Sequence, residues 1–159
     1  MQAGILRETV DLSAFPDLVL ILLGFKVRHV RAVPALFDIG RGLAGLKRTP
    51  PEGLLHHEQS LLGWNHLGIR QYWRDGESLE AFTRSVPHAH WWKAFLSDTK
   101  GSGFWHEAYR ARGGVEAIYV GMPERAGLGT FAPARKAIGP LMSSADRMRV
   151  DVETRTTAP

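Results

Sequence analysis

Branched and leucine side chains dominate "DLVLILLGFKVR", residues 17–28, and give way to polar ones at its end, the pattern of a central β-strand. In "VPALFDIGRGLAGLKR", 33–48, Leu36, Phe37, Leu43 and Leu46 recur at helical spacing, Pro34 suits a first turn, and Lys47 and Arg48 complement the dipole at the end. Three glycines, at 40, 42 and 45, weaken that helix. "RTPPEG", 48–53, stops it. Two arms follow, "LLHHEQSLLGW" at 54–64 and "HLGIRQYWRD" at 66–75; they read as a hairpin, although the first arm also fits a helix by pattern alone. Asp75, or the serine after it, caps a second helix carrying Leu79 and Phe82 three apart. Pro87 interrupts it and opens a redirected segment over 88–98. "FWHEAYRA", 104–111, alternates as a strand does, and the apolar stretch "VEAIYVGMP", 115–123, follows two glycines.

The order strand, helix, strand, strand, helix, strand is that of an α+β ferredoxin-like βαββαβ domain with a four-stranded antiparallel sheet. Helices on one face leave the other bare, and pairing with a second copy is the economical cover. The expectation is one domain over 1–132, including a leader over 1–16 that lies on the body. Residues 133–159 are expected to form an extension, mobile or wrapping a partner, because large apolar residues almost vanish from 143 onward.

With 159 residues and 44% hydrophobic content, the chain can bury a core without staples. The absence of cysteine excludes disulfides, thiolate metal sites and cysteine nucleophiles. A net charge of +4, spread along the chain, argues against nucleic acid. "LVLILLGF" is far shorter than the ~20 residues of a membrane span. "MQAGILRETVDL" lacks the layout of a secretory signal, so a cytoplasmic protein without membrane partners is expected. Abundant Arg and Ala are compatible with a high-GC bacterium and secondary metabolism.

"QYWRDGESLEAF", "HAHWWKAF", "GSGFWHEAY" and "EAIYVGMPERAGLGTF" occur in an order and spacing that resembles a family of small monooxygenase-like proteins within the dimeric α/β-barrel superfamily. The likeness spans about residues 17–132, with "YWR" and "WHE" its most specific parts. It implies a ferredoxin-like protomer, a homodimer closing a barrel, and a small-molecule pocket between helices and sheet. The superfamily includes cofactor-free oxygenases of polyketide biosynthesis, haem-degrading monooxygenases, aldoxime dehydratases, chlorite dismutases and non-catalytic binding modules, so the resemblance implies a scaffold and leaves the reaction open.

Period two on 104–109 places Phe104, His106 and Ala108 on one face and Trp105, Glu107 and Tyr109 on the other. Helical spacing puts His88 and Trp92 on one side and His90 elsewhere. The leading expectation is a cofactor-independent oxygenation, or a related acid–base step, on a hydrophobic or polycyclic metabolite. His88 and His106 are the acid–base candidates, and Arg74 the cation for a developing enolate or phenolate. Trp73, Trp92, Trp105, Phe25 and Phe37 are the candidate pocket residues. The same pattern also reads as packing, with Trp91 and Trp92 as anchors, His106 a hydrogen-bonded core residue and Glu107 in the dimer contact or an ion pair. The alternatives are a non-catalytic ligand-binding module on the same dimer, or a haem enzyme with His88 as axial ligand and His90 second. Strand one offers no asparagine, which departs from the haem-degrading branch. His56, His57 and Glu58 suggest a metal, but adjacent strand residues face opposite sides and do not converge.

Overall fold

The computed structural model describes residues 6–99, 101–111, 115–120 and 127–157. Its strands are β1 (Arg7–Val10), β2 (Val19–Val27), β3 (Leu54–Gly63), β4 (His66–Trp73), β5 (Ser102–Arg110), β6 (Tyr119–Val120) and β7 (Ala134–Lys136). Its helices are α1 (Val33–Arg48), α2 (Gly76–Arg84), α3 (Val86–Ser97) and α4 (Ser144–Thr157). They fall into two compact units, Val19–Arg110 and the combination of Met1–Leu18 with Ala111–Pro159.

In the first unit the antiparallel sheet has the order β3-β4-β2-β5, with β2 hydrogen-bonded on both sides. This is the ferredoxin-like arrangement expected from the element order. Register then sorts the side chains. Val19 lies opposite Trp73, Ile21 opposite Gln71 and Leu23 opposite Ile69, and this face receives Leu43 and Leu46 of α1 and Phe82 of α2 as the core. Each such aliphatic or aromatic side chain taken out of water stabilises the fold by roughly 1.5–3 kcal/mol before entropy is charged against it. The intervening residues, Leu20, Leu22 and Gly24 with Trp105, Glu107 and Tyr109 opposite them, occupy the other face. Among the described residues the packed side chains of α1, α2 and α3 lie on the first face.

The helix ends follow local chemistry. Asp75 is extended and accepts a 2.7 Å hydrogen bond from the Ser78 amide, which caps α2, an interaction typically worth about 1 kcal/mol. The Arg74 guanidinium, followed by the Ser78 amide, lowers the Asp75 carboxyl to about 2. Extended Ser85 ends α2, and α3 restarts with Pro87 in its first turn.

A buried polar chain crosses the helix-covered face. The Trp73 indole N–H donates to Gln71 Oε1 at 3.1 Å, and Gln71 Nε2 lies 3.2 Å from His57 Nδ1. Because an indole nitrogen only donates, it fixes the Gln71 amide; the amide nitrogen then donates, so His57 keeps Nδ1 bare. Burial, then the positive neighbours His56 and Lys47, hold the His57 imidazole below its usual range.

In the second unit β1 lies between β6 and β7, antiparallel to both. Arg147, almost wholly buried, pairs with Glu116 at 2.7 Å and donates to the carbonyls of Leu141 and Met142 at 3.0 and 2.9 Å. The Val115 amide donates to Asp151 at 2.7 Å, so α4 is tied to 115–116 at two points. Met1–Leu18, its first sixteen residues expected as a leader on the body of the 1–132 domain, and the expected extension over 133–159 belong to one unit with the chain from Ala111. The sequence marks neither because β1, β6 and β7 are two to four residues long and α4 is polar around its circumference. Of the stretch 115–123 only Tyr119–Val120 is a strand, and 121–123 lie outside the described residues.

The three glycines of α1 sit in different surroundings. A β-carbon at Gly40 or Gly45 meets no described atom within 4 Å, whereas one at Gly42 comes 2.8 Å from the Trp91 ring. Gly40→Ala and Gly45→Ala are each expected to stabilise the fold by about 0.4–1 kcal/mol in urea titrations, with Gly42→Ala giving no gain. A second expectation concerns pH. An imidazole with a depressed folded value leaves stability greatest above about 6.5, and stability declines as the pH falls from there because the unfolded chain binds a proton that the folded chain resists. Urea midpoints between pH 8 and 5 should drop less steeply in His57→Asn, whose amide oxygen accepts from Gln71 without titrating.

Candidate functional site

On α3 the side chains of His88, Trp91, Trp92 and Phe95 fall at i, i+3, i+4 and i+7, one stripe of a helix. They face the outer end of the helix-covered sheet, where Phe25 of β2 pairs with Phe104 of β5. The rings interlock. Phe25 and Phe104 have centroids 5.1 Å apart, Trp92 and Phe104 5.5 Å, and Phe95 stacks on Trp92 at 6.1 Å. Edge or offset pairs of this kind contribute about 0.5–1.5 kcal/mol beyond area burial. Between stripe and strands lies a cleft of about 120 Å³, lined by Leu23, Phe25, His88, Trp91, Trp92, Phe95 and Phe104. Among the described residues the lining is aliphatic and aromatic apart from one imidazole, with Trp91 and Trp92 each also carrying an indole N–H. His88 Nδ1 lies 3.1 Å from the Thr83 carbonyl oxygen, and its ring rests edge-on against Phe82 at 5.2 Å.

Of the residues singled out by sequence, Phe25, His88 and Trp92 meet in this cleft. The others go elsewhere. Trp73 is completely buried in the core, its ring 5.2 Å from Phe82 and its N–H on Gln71. Arg74 is held at the start of α2 by Asp75 at 2.8 Å, Ser78 at 2.9 Å and Glu52 at 3.4 Å, and the Asp75 hydrogen bond raises its pKa. Its partners use the charge that an enolate would need. Trp105 lies on the helix-free face and donates to His66 Nε2 at 2.7 Å; Gly24 opposite it leaves the room, since a β-carbon there would collide with the indole and approach His66 Nε2 to 2.7 Å. His106 shares the cleft's face of the sheet, opposite Leu23, but is exposed and is not among the lining residues. Phe37 is 70% exposed on α1 and also lies outside the lining. His90 is exposed on α3, and Glu107 accepts from the Tyr109 hydroxyl at 2.6 Å.

Leu23, Trp91, Phe95 and Phe104 line the cleft without having been assigned to it. Helical i+3 spacing from His88 finds Trp91 and from Trp92 finds Phe95, and cross-strand pairing with Phe25 finds Phe104. His56 bonds Glu58 at 3.3 Å, and Glu58 pairs with Arg70, whereas His57 projects from the opposite face. Among the described residues no three histidine or carboxylate groups are placed to hold a metal ion.

Haem requires both a ligand and a slot. An imidazole whose Nδ1 is anchored on a carbonyl is oriented as metal-binding histidines are. The space is wrong, however: 120 Å³ is of the same order as the ~150 Å³ cavity that takes a single benzene ring, and a porphyrin has four pyrroles in its plane. A porphyrin held by His88 would therefore extend well beyond the enclosed part of the cleft.

Residues 18–128 match the family model described as monooxygenase af470-like. Among solved structures, an aldoxime dehydratase in complex with butyraldoxime aligns over 96% of this chain and 44% of its own, at 19% identity and a TM-score of 0.67. Another aldoxime dehydratase structure aligns over 94% and 44%, at 16% identity and 0.65. SnoaB, a cofactor-independent oxygenase from Streptomyces nogalater, aligns over 60% of this chain and 94% of its own, at 21% identity and 0.46. This chain thus spans less than half the length of the aldoxime dehydratases, and at such identities the likeness is one of fold. No curated protein sequence matches it. The family match runs through all four strands of the larger sheet and the whole α3 stripe, and on that match the chain belongs to the monooxygenase af470-like family.

Proposed function

We propose that the chain is a monooxygenase-like enzyme that binds a hydrophobic small molecule beneath α3 and acts on it by proton transfer at His88, without a bound cofactor. One observation carries this reading: an aromatic stripe facing a Phe–Phe pair around a cleft whose only titratable lining group among the described residues is an imidazole. The cleft's size supports a ligand that inserts one ring or a short branched chain. A polycyclic metabolite would leave its remaining rings at the mouth, beside the half-exposed Trp91 and Trp92.

The chemistry follows from the lining. His88 takes a proton from a hydroxyl or an activated carbon, and the electron-rich anion left behind is the form that reacts with dioxygen. Apolar walls keep water away from that anion, and the imidazolium just formed supplies the compensating charge. Arg74 has no part in this, being committed to Asp75, Ser78 and Glu52. The homodimer belongs to the same reading. The helix-free face sets Leu20, Leu22 and Tyr109 beside the Glu58–Arg70 pair, a mixture suited to a second copy of itself.

Calorimetric titration with toluene is expected to give saturable binding, weakened about tenfold by Phe104→Ala, the equivalent of ~1.4 kcal/mol. Oxygen uptake with a panel of phenolic substrates should fall to background in His88→Ala. Toluene that does not bind removes the cleft, and uptake unchanged in His88→Ala removes the base. Binding without turnover of any substrate favours a non-catalytic ligand-binding module.

A further inference from the structure

The one titratable side chain that lines the cleft among the described residues, His88, has a fixed polarity. In a continuous helix the Thr83 carbonyl would accept from the amide of residue 87, but that residue is a proline and has no N–H. Extended Ser85 breaks the helix at this point, and the side chain of His88 fills the vacancy, with Nδ1 3.1 Å from the Thr83 oxygen. A carbonyl only accepts. Nδ1 therefore carries the proton of the neutral ring, and Nε2 is left as a bare acceptor.

From this we infer that the cleft selects uncharged ligands that carry a hydrogen-bond donor, of the phenol, enol or N–H heterocycle class, over isosteres that only accept and over carboxylates. The inference rests on the cleft being a ligand site, as proposed above, and adds which ligands it takes. Three features point the same way. Nε2 offers a lone pair and no proton, so an ether or carbonyl oxygen gains nothing from it. Among the described residues no lysine or arginine lines the cleft, so a carboxylate would lose its hydration without a counter-charge. The cation singled out from the sequence, Arg74, is bound to Asp75 and Glu52 in a separate depression at the start of α2.

His88 thus acts as a specificity determinant. Thr83 and Pro87 act through it, one by supplying the carbonyl and the other by withholding the amide that would compete for it. The polarity is set by backbone, and so does not depend on the rotamer of a second side chain.

The test compares p-cresol, anisole, toluene and benzoate by calorimetry at pH 8, where the phenol keeps its proton. p-Cresol is expected to bind about five- to tenfold more tightly than anisole, with anisole near toluene and benzoate weakest. His88→Phe should bring the affinities of p-cresol and anisole together, the readout being their ratio in the one variant. His88→Gln, which restores an acceptor, should recover part of the preference and guards against a His88→Phe variant that folds poorly. If wild-type protein binds toluene but does not prefer p-cresol to anisole, or if benzoate is the tightest ligand, the acceptor assignment is wrong and the apolar cleft stands. If neither toluene nor p-cresol binds, the cleft is not a ligand site, and the proposed function falls together with this inference.

Discussion

The alignment of β2 against β5 decides what faces the helices. With Phe25 opposite Phe104 and Gly24 opposite Trp105, one phenylalanine pair closes the floor of the cleft, and one indole is sent to the far side of the sheet. A slip of one residue would exchange the two faces, put Trp105 under α3 and leave Phe104 in its place outside. Nine consecutive pairings hold that alignment, from Val19 with Arg110 to Val27 with Ser102. The site is therefore a property of sheet register first and of helix composition second.

Against this frame, α3 contributes direction. Its stripe is aimed by the break at Ser85, which sets it apart from α2, and by Gly42 of α1, where the missing side chain lets the Trp91 ring approach. The same break frees the Thr83 carbonyl from its helical partner for His88 Nδ1 and so gives the imidazole of the cleft its tautomer. Helix termination and the tautomer of His88 here share one cause, a proline two residues into a helix. His57 obeys the same logic in the core: an obligate donor, the Trp73 indole, fixes an amide that fixes an imidazole. Both histidines have their protons placed by neighbours that can act in only one sense.

Much of the larger unit can be read from the chain. The helix over 33–48, the hairpin arms, the Asp75 cap and the restart at Pro87 each rest on a local signal strong enough to survive tertiary context. The two faces of β5 also follow from period two. Assigning pocket roles by residue type misled where parity already disagreed: Trp73, Trp92 and Trp105 are the same residue in core, cleft and open face. Arg74 failed for another reason, because its partner Glu52 comes from the preceding loop and no spacing rule reveals that pairing. The smaller unit was illegible because strands of two to four residues are too short to show alternation, and Arg147 gives no local hint that its charge meets Glu116 thirty-one positions earlier.

Gly24 and Gly68 lie side by side on the open face, making a furrow across the two middle strands that Trp105, His66 and Leu62 fill from above. Strand interiors ordinarily disfavour glycine, so this thin place in the sheet persists only with its overlying rings in position. Positions 24 and 105 are consequently tied in substitution. A larger residue in the furrow calls for a smaller one over it, and homologous chains that keep this sheet should exchange bulk between the two positions while conserving the sum.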